Sequence, residues 1–180
     1  MSNDVILIPL KRFDIAKERL RRAGAPDVTT IARELAMGVI AACHPRRVVV
    51  VSESAEVSRF AREHGAEAFE SNASDLNSAV TFAYQSFGAT CNRLFIVHGD
   101  LREPRGLGDF EPVEGITIVT DRHGTGTNVL VLPAHLDFHF GYGPRSAQRH
   151  ELEAQRLRVA THVVTDSPWG HDVDEIKDLD

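Results

Sequence analysis

Residues 48–69 read VVVVSESAEVSRFAREHGAEAF. The run Val48 to Val51 is short, apolar and wholly β-branched, which predicts a buried strand rather than part of a helix. Ala55 to His64 reads as a helix stopped by Gly65, since glycine takes the left-handed conformation at a helix end without a Cβ penalty. Ala66 to Phe69 is a brief second strand. A strand, a helix and another strand cannot form a tight hairpin. They form a right-handed crossover to a parallel neighbour, which lays the helix back on the sheet.

The same alternation extends in both directions. Val5 to Pro9 is an apolar run halted by proline, a first buried strand. Between residues 28 and 43, Ile31, Leu35, Val39 and Ala42 recur at the steps of one helical face, with Asp27 as the expected N-cap. Ser74 to Phe87 is a helix with Ser74 as N-cap and Gly88 as stop. Arg93 to His98 is the next strand. Gly115 to Thr120 and Asn128 to Pro133 flank a Gly-Thr turn as two more, and Ser146 to Arg158 is an amphipathic helix with Ser146 as N-cap. Val159 to Val164 completes the set. These elements predict one domain over residues 1–180, three-layer α/β/α, with a mainly parallel, mixed sheet covered on both faces.

Composition agrees. The chain has 180 residues, 42% hydrophobic and 26% charged, near the averages for globular domains. No apolar run is long enough to cross a bilayer, and residues 1–20 lack the basic, apolar and small-residue order of a secretory signal, so a cytoplasmic protein without a membrane partner is expected. Cys43 and Cys91 show no metal-like spacing and read as reduced structural cysteines. A net charge of -6 disfavours nucleic acid as partner. That charge is unevenly spread: residues 1–50 hold nine Lys or Arg against five Asp or Glu, and the remainder eleven against twenty-one. Such a chain suits a ligand that needs both cations and carboxylates.

Ligands of open α/β sheets bind beyond the carboxyl ends of the strands, which directs attention to the residues just after each strand. Lys11 and Lys17 follow the first strand and could both face a polyanion, or simply decorate a solvated loop. Asp100 follows the strand ending at His98, with Gly99 permitting close approach of another group; it is a natural magnesium ligand or an Asx-turn residue. Asp172 and Asp174 point the same way on an extended segment and could meet one cation, although five of the last nine residues are acidic and could form a solvated tail. His123 to Asn128 lacks the third glycine and following helix of a dinucleotide loop; it is either an anion-binding nest or a plain hairpin turn. The start of the helix at Ser146 could receive a carboxylate or phosphate on its free amides.

Taken in order, Pro9-Leu10-Lys11, Ala16-Lys17-Glu18-Arg19-Leu20, Leu76-Asn77, Gly99-Asp100-Leu101, the octapeptide Asp121 to Asn128 (DRHGTGTN), Phe140-Gly141, Gly143, Ser146, Arg149-His150 and Asp172-Val173-Asp174 resemble the 2-phospho-L-lactate/phosphoenolpyruvate guanylyltransferases. The resemblance covers nearly the whole chain. Its most specific piece is the octapeptide, because neither a hairpin nor a cap requires all eight residues. It implies a nucleotide-diphospho-sugar transferase-like (Rossmann-like) fold of the molybdenum-cofactor guanylyltransferase type. The reaction implied joins the GMP moiety of GTP to the phosphate of a three-carbon phospho-acid, phosphoenolpyruvate or 2-phospho-L-lactate, with release of pyrophosphate, on the way to the deazaflavin coenzyme F-420.

Carried over by position, Asp100, Asp172 and Asp174 would hold Mg²⁺. Lys11 and Lys17 would act with Asp100 in catalysis as the phosphate cations. Leu10, Lys11, Leu76 and Asn77 would lie at the nucleotide, and Thr127, Gly143 and Ser146 would receive the substrate carboxylate. One departure is visible: the family usually has Pro or Ala before Ala-Asp-Leu-Pro, and this chain has His98-Gly99-Asp100-Leu101-Arg102. Three alternatives stay open: 3-phosphoglycerate as acceptor, another nucleotide as donor, or a non-catalytic α/β binding module. A homodimer is compatible with the sequence.

Overall fold

The computed structural model describes residues 3–179. The strands are β1 (Val5–Pro9), β2 (Arg47–Ser52), β3 (Glu67–Glu70), β4 (Arg93–Val97), β5 (Ile116–Thr120), β6 (Thr127–Pro133) and β7 (Thr161–Val164). The helices are α1 (Glu18–Arg22), α2 (Val28–Cys43), α3 (Ala55–Glu63), α4 (Leu76–Gly88) and α5 (Ser146–Leu157), with one-turn 3-10 segments at Pro168–Gly170 and Ile176–Asp178. One sheet contains all the strands in the order β3-β2-β1-β4-β6-β5-β7. β6 alone runs against its neighbours β4 and β5; the other pairings are parallel. This is the mainly parallel, mixed α/β sheet that the alternation of elements predicts.

Two apolar layers sandwich the sheet. Ile6, Ile8, Val50 and Phe95 face α2 and α3, where Val39, Ile40 and Phe60 meet them. Leu7, Val49, Leu94 and Ile96 face the opposite way, onto Val80 and Tyr84 of α4 and Ala147 and Ala154 of α5. Consecutive strand residues thus feed different layers, and runs such as RLFIV in β4 are apolar throughout because both faces are covered. Among the described residues no helix is long and apolar enough to cross a membrane.

Some helix ends depart from the expectations at their caps. Asp75, not Ser74, caps α4: its carboxylate accepts from the Ser78 amide and hydroxyl. Asp27 and Arg145 occupy the caps of α2 and α5 in left-handed conformations, with φ of 48° and 56°, and neither cap side chain bonds the helix. A capping side chain needs the extended cap backbone to reach the second or third helical amide, and the left-handed geometry turns it away. Ser146 therefore lies inside the first turn of α5, buried, instead of capping it. Gly65 stops α3 as expected, at φ +81°. Gly88, the expected stop of α4, is its last helical residue; a Cβ there would stand 2.7 Å from the Ala134 carbonyl oxygen, so its role is close packing.

Candidate active site

After β1 the chain builds outward through β2 and β3, then returns to the other side of β1 as β4. The carboxyl ends of β1 and β4 thus flank a topological switch point, where a crevice opens in folds of this kind. A cavity of about 710 Å³ lies there. Its walls come from the loop after β1 (Leu10, Lys11, Lys17), the end of β2 (Ser52, Glu53), the segment entering α4 (Ser71 and Ala73 to Leu76), the residues after β4 (His98 to Asp100) and Asp174. Gly99 lets β4 end against Leu10: a Cβ at this position would fall 2.2 Å from a Leu10 methyl.

At one end of this cavity Asp100, Asp172 and Asp174 converge, each placing a carboxylate oxygen within 4.8 Å of the others. The C-terminal segment reaches Asp100 through an antiparallel bridge between Leu101 and Asp172, reinforced by the Val173 amide on the Asp100 carbonyl at 3.1 Å. An extended segment at this point is what lets Asp172 and Asp174 point the same way. Lys17 lies against the cluster. Its ammonium pairs with Asp100 and, at 3.3 Å, with Asp174, and its side chain is only 8% exposed. The backbone of Lys17 is left-handed, φ 58°, an unusual conformation for a lysine.

The electrostatics of the cluster follow from that crowding. Burial alone would raise the Asp100 carboxyl, but the charge and hydrogen bond of Lys17, with a contribution from His98, outweigh it and hold it below the usual range. Burial would lower Lys17, and Asp100 and Asp174 reverse this and hold it above its usual value. Asp172 goes the other way: burial and the neighbouring Asp100 and Asp174 charges raise it, only partly opposed by a hydrogen bond from Asn128. Three carboxylates gathered around one lysine, with Asp172 still short of positive charge, suit a divalent cation. The buried Oδ1 of Asp100 has no hydrogen-bond partner, and hard cations such as Mg²⁺ take oxygen ligands of this kind. The residues therefore fit the ion that the resemblance implies.

The other expected site residues lie apart from this cluster. Lys11 is exposed on the cavity wall, and Leu10 and Leu76 line it. Asn77 is not among the residues lining the cavity. Its amide is engaged with the backbone of Tyr142, accepting from the amide at 2.7 Å and donating to the carbonyl at 3.2 Å. Thr127, Gly143 and Ser146 come together where β6 and α5 begin, outside the lining of the main cavity. Because β6 is reversed, its first residue stands at the same carboxyl edge as Asp100. Thr127 and Ser146 are buried, and Gly143 has φ +117°.

In this second group the amides expected to receive an anion are already used. Ser146 and Ala147 donate to the Gly143 and Thr125 carbonyls, each at 3.1 Å. In the turn before β6, the anion in the nest is the chain's own Asp121, which accepts from the His123 and Thr125 amides at 3.1 and 2.8 Å.

Two residues without an assigned role in the sequence reading organise the site. Asn128 spans from the Trp169 carbonyl to Asp172. His150 is fully buried; its Nε2 accepts from the Gly141 amide, so Nδ1 carries the proton and donates to the Thr127 hydroxyl at 3.0 Å. Thr127 thus accepts from His150 and keeps its own hydrogen for another acceptor. Burial pushes His150 down to about 4, with help from His98 and Arg149, so the ring is neutral at pH 7. A lone histidine on an amphipathic helix carries no signal of this in sequence.

The family described as "guanylyl transferase CofC like" matches residues 4–180. The phosphoenolpyruvate guanylyltransferase of Roseiflexus castenholzii is 31% identical over 179 residues, covering 96% of this chain and 84% of that protein. That of Mycolicibacterium gilvum is 32% identical over 195 residues, covering 97% and 86%. Among solved structures, a protein of Desulfovibrio desulfuricans G20 described as a nucleotide-diphospho-sugar transferase superposes with TM-score 0.77 at 17% identity, over 99% of this chain and 85% of that one. A 4-diphosphocytidyl-2C-methyl-D-erythritol synthase does so with TM-score 0.66 at 11% identity, over 99% and 95%. At such identities these structures speak for the fold alone, which is that of the nucleotidyltransferases.

Proposed function

Since this chain belongs to the CofC-like guanylyl transferase family, we propose that it is a single-domain nucleotidyltransferase that moves GMP from GTP onto the phosphate of a three-carbon phospho-acid, phosphoenolpyruvate or 2-phospho-L-lactate, releasing pyrophosphate. The product is a precursor of coenzyme F-420, made in the cytoplasm. One observation carries the reading at the level of residues: three carboxylates converge, one oxygen buried without a partner, at the end of a cavity whose wall also bears Lys11 and Lys17.

The chemistry asks little of a general base. An oxygen of the acceptor phosphate is already ionised; it attacks the α-phosphorus of GTP, the bond from that phosphorus to the bridging oxygen of the β-phosphate breaks, and pyrophosphate leaves with the electron pair. The obstacle is the approach of two anions and their alignment. Lys11 and Lys17 screen the phosphates, and Leu10 and Leu76 supply apolar wall to the nucleoside. Thr127, with its hydroxyl hydrogen left free by His150, and the hydroxyl of Ser146 beside the Gly143 turn orient the acceptor carboxylate, while the Ser146 and Ala147 amides stay bonded within the chain. Asp100, Asp172 and Asp174 would hold Mg²⁺, which when bound offsets negative charge developing on the phosphates.

The test is a competition. The protein is incubated with GTP, Mg²⁺ and equal amounts of phosphoenolpyruvate, 2-phospho-L-lactate and 3-phosphoglycerate, and the products are read by mass spectrometry. The expected result is one guanylylated acid, from phosphoenolpyruvate or phospholactate, formed in step with pyrophosphate. No guanylylated product from any acid refutes the reading, and product from 3-phosphoglycerate alone shifts it to a different acceptor.

A further inference from the structure

The last turn of the described chain holds a carboxylate that an acidic tail does not explain. Asp178, in the 3-10 turn Ile176–Asp178, has a side chain only 3% exposed. Its Oδ2 accepts from the amides of Asp174 and Glu175, at 2.9 and 2.8 Å. Its Oδ1 is paired with the guanidinium of Arg122, from the turn that Asp121 ties together before β6. Burial would raise this carboxyl, but the bonds from Arg122 and from the Glu175 and Asp174 amides outweigh burial and hold it far below the usual range.

Arg102 attaches the same segment from the other side. Its guanidinium donates to the Asp178 carbonyl at 3.0 Å and its amide to the His171 carbonyl at 2.8 Å. Residues 171–175 lie between two one-turn helices, and the Leu101–Asp172 bridge is all the sheet-like pairing they make. Without Asp178 the Asp174 and Glu175 amides would lose the acceptor that sets the direction of the backbone at Asp174, and with it the direction of that carboxylate. A cap for one 3-10 turn requires neither the bond to Asp174, outside the turn, nor the ion pair with Arg122.

We propose that Asp178 is a positioning residue which, set by Arg122, holds Asp172 and Asp174 in the arrangement that binds a divalent cation together with Asp100. This rests on the assignment of those three carboxylates as the metal site. It gives the arginine of the DRHGTGTN turn a role, coupling that turn to the metal-binding segment, which Arg102, in the loop after β4, also ties down through the Asp178 carbonyl.

The experiment measures Mn²⁺ binding to the full chain by electron paramagnetic resonance, and the Mg²⁺ concentration for half-maximal turnover. Loss of a residue that orients metal ligands typically weakens metal binding about 10- to 100-fold, and Asp178→Ala is expected to do so while leaving KM for the phospho-acid unchanged. Arg122→Ala shifts both in the same direction by a smaller factor, and the double variant is no weaker than Asp178→Ala because both act through one contact. Wild-type Mn²⁺ affinity in a cooperatively melting Asp178→Ala protein overturns the proposal. Should that variant fail to fold, wild-type affinity in Arg122→Ala overturns it instead. Asp100→Asn separates the levels: unchanged affinity there removes the metal site itself, whereas impaired affinity there beside a normal Asp178→Ala removes the positioning role alone.

Discussion

On the β1–β4 side of the carboxyl edge, Lys17 is crowded by Asp100 and Asp174, with Asp172 beside them, the lysine backbone is left-handed, and one carboxylate oxygen is buried without a partner. On the β6–α5 side, the buried Thr127 and His150 and the half-buried Gly141 amide form a neutral chain of hydrogen bonds. Both regions are polar groups withdrawn from water, and they solve that problem in opposite ways. The first keeps its charges and leaves them incompletely compensated, which suits the binding of phosphates and a cation. The second keeps its histidine neutral and leaves one hydroxyl hydrogen, that of Thr127, free to donate, which suits a preformed contact to a carboxylate. In the first region a substitution is expected to change what binds; in the second, to change when the fold itself holds.

The contrast can be broken most sharply at Asp100. Asp100→Asn keeps the shape and removes the charge, and loss of one such electrostatic contact typically costs about 100- to 1000-fold in rate. Turnover in single-cycle kinetics is expected to fall by that factor with a cooperative melt retained; wild-type turnover would place the chemistry elsewhere.

His150 sharpens the other side through pH. Its folded value is near 4, lowered by burial, against about 6.5 unfolded. Between those values the unfolded chain binds a proton that the native protein does not. The stabilising effect of keeping the ring neutral is therefore complete above pH 6.5 and is lost as pH falls toward 4, by about 3 kcal/mol in all. Urea titrations of wild type and His150→Gln across that window should converge by this amount as pH falls. A constant difference would mean that the ring takes up its proton as readily in the folded state as in the unfolded chain.

Lys17→Met gives the smallest effect. Removing one partner of a buried ion pair costs about 3–5 kcal/mol, and since Asp174 is partly exposed, water takes up some of the loss, leaving about 2 kcal/mol. The same urea titration measures it, and adding Mg²⁺ should shrink the deficit. Equal stability of variant and wild type would show that Asp100 and Asp174 do not depend on the lysine.

What was legible in the sequence varied with how local its cause is. The strands declared themselves because β-branched apolar runs between helix patterns have few other readings, and β1, β2, β4, β5 and β6 fall within a residue or so of expectation. Caps were misread wherever the backbone, not the residue type, decided the outcome: Ser74 and Ser146 are good capping residues, but the chain turns at Asp75 and Arg145. The spacing of Asp172 and Asp174 permitted a shared cation, while their meeting with Asp100 was implied by family resemblance and not by spacing. Asp178 left no trace, being an acid among acids, and His150 entered only through the family resemblance, with nothing to show its role as a single histidine on an amphipathic helix.

By itself the sequence determined the alternation of strands and helices, and through the reach and handedness of crossovers the largely parallel sheet, because those depend on neighbours in the chain. It also determined which residue types stand at the strand ends. Only the tertiary structure decided that β6 inserts between β4 and β5, bringing Thr127 to the edge where Asp100 stands. It decided also that Lys17 faces carboxylates, that Asn77 is spent on Tyr142, and that His150 is neutral. Those outcomes depend on burial and on charges brought together from distant parts of the chain, and neither is defined until the sheet has closed around them.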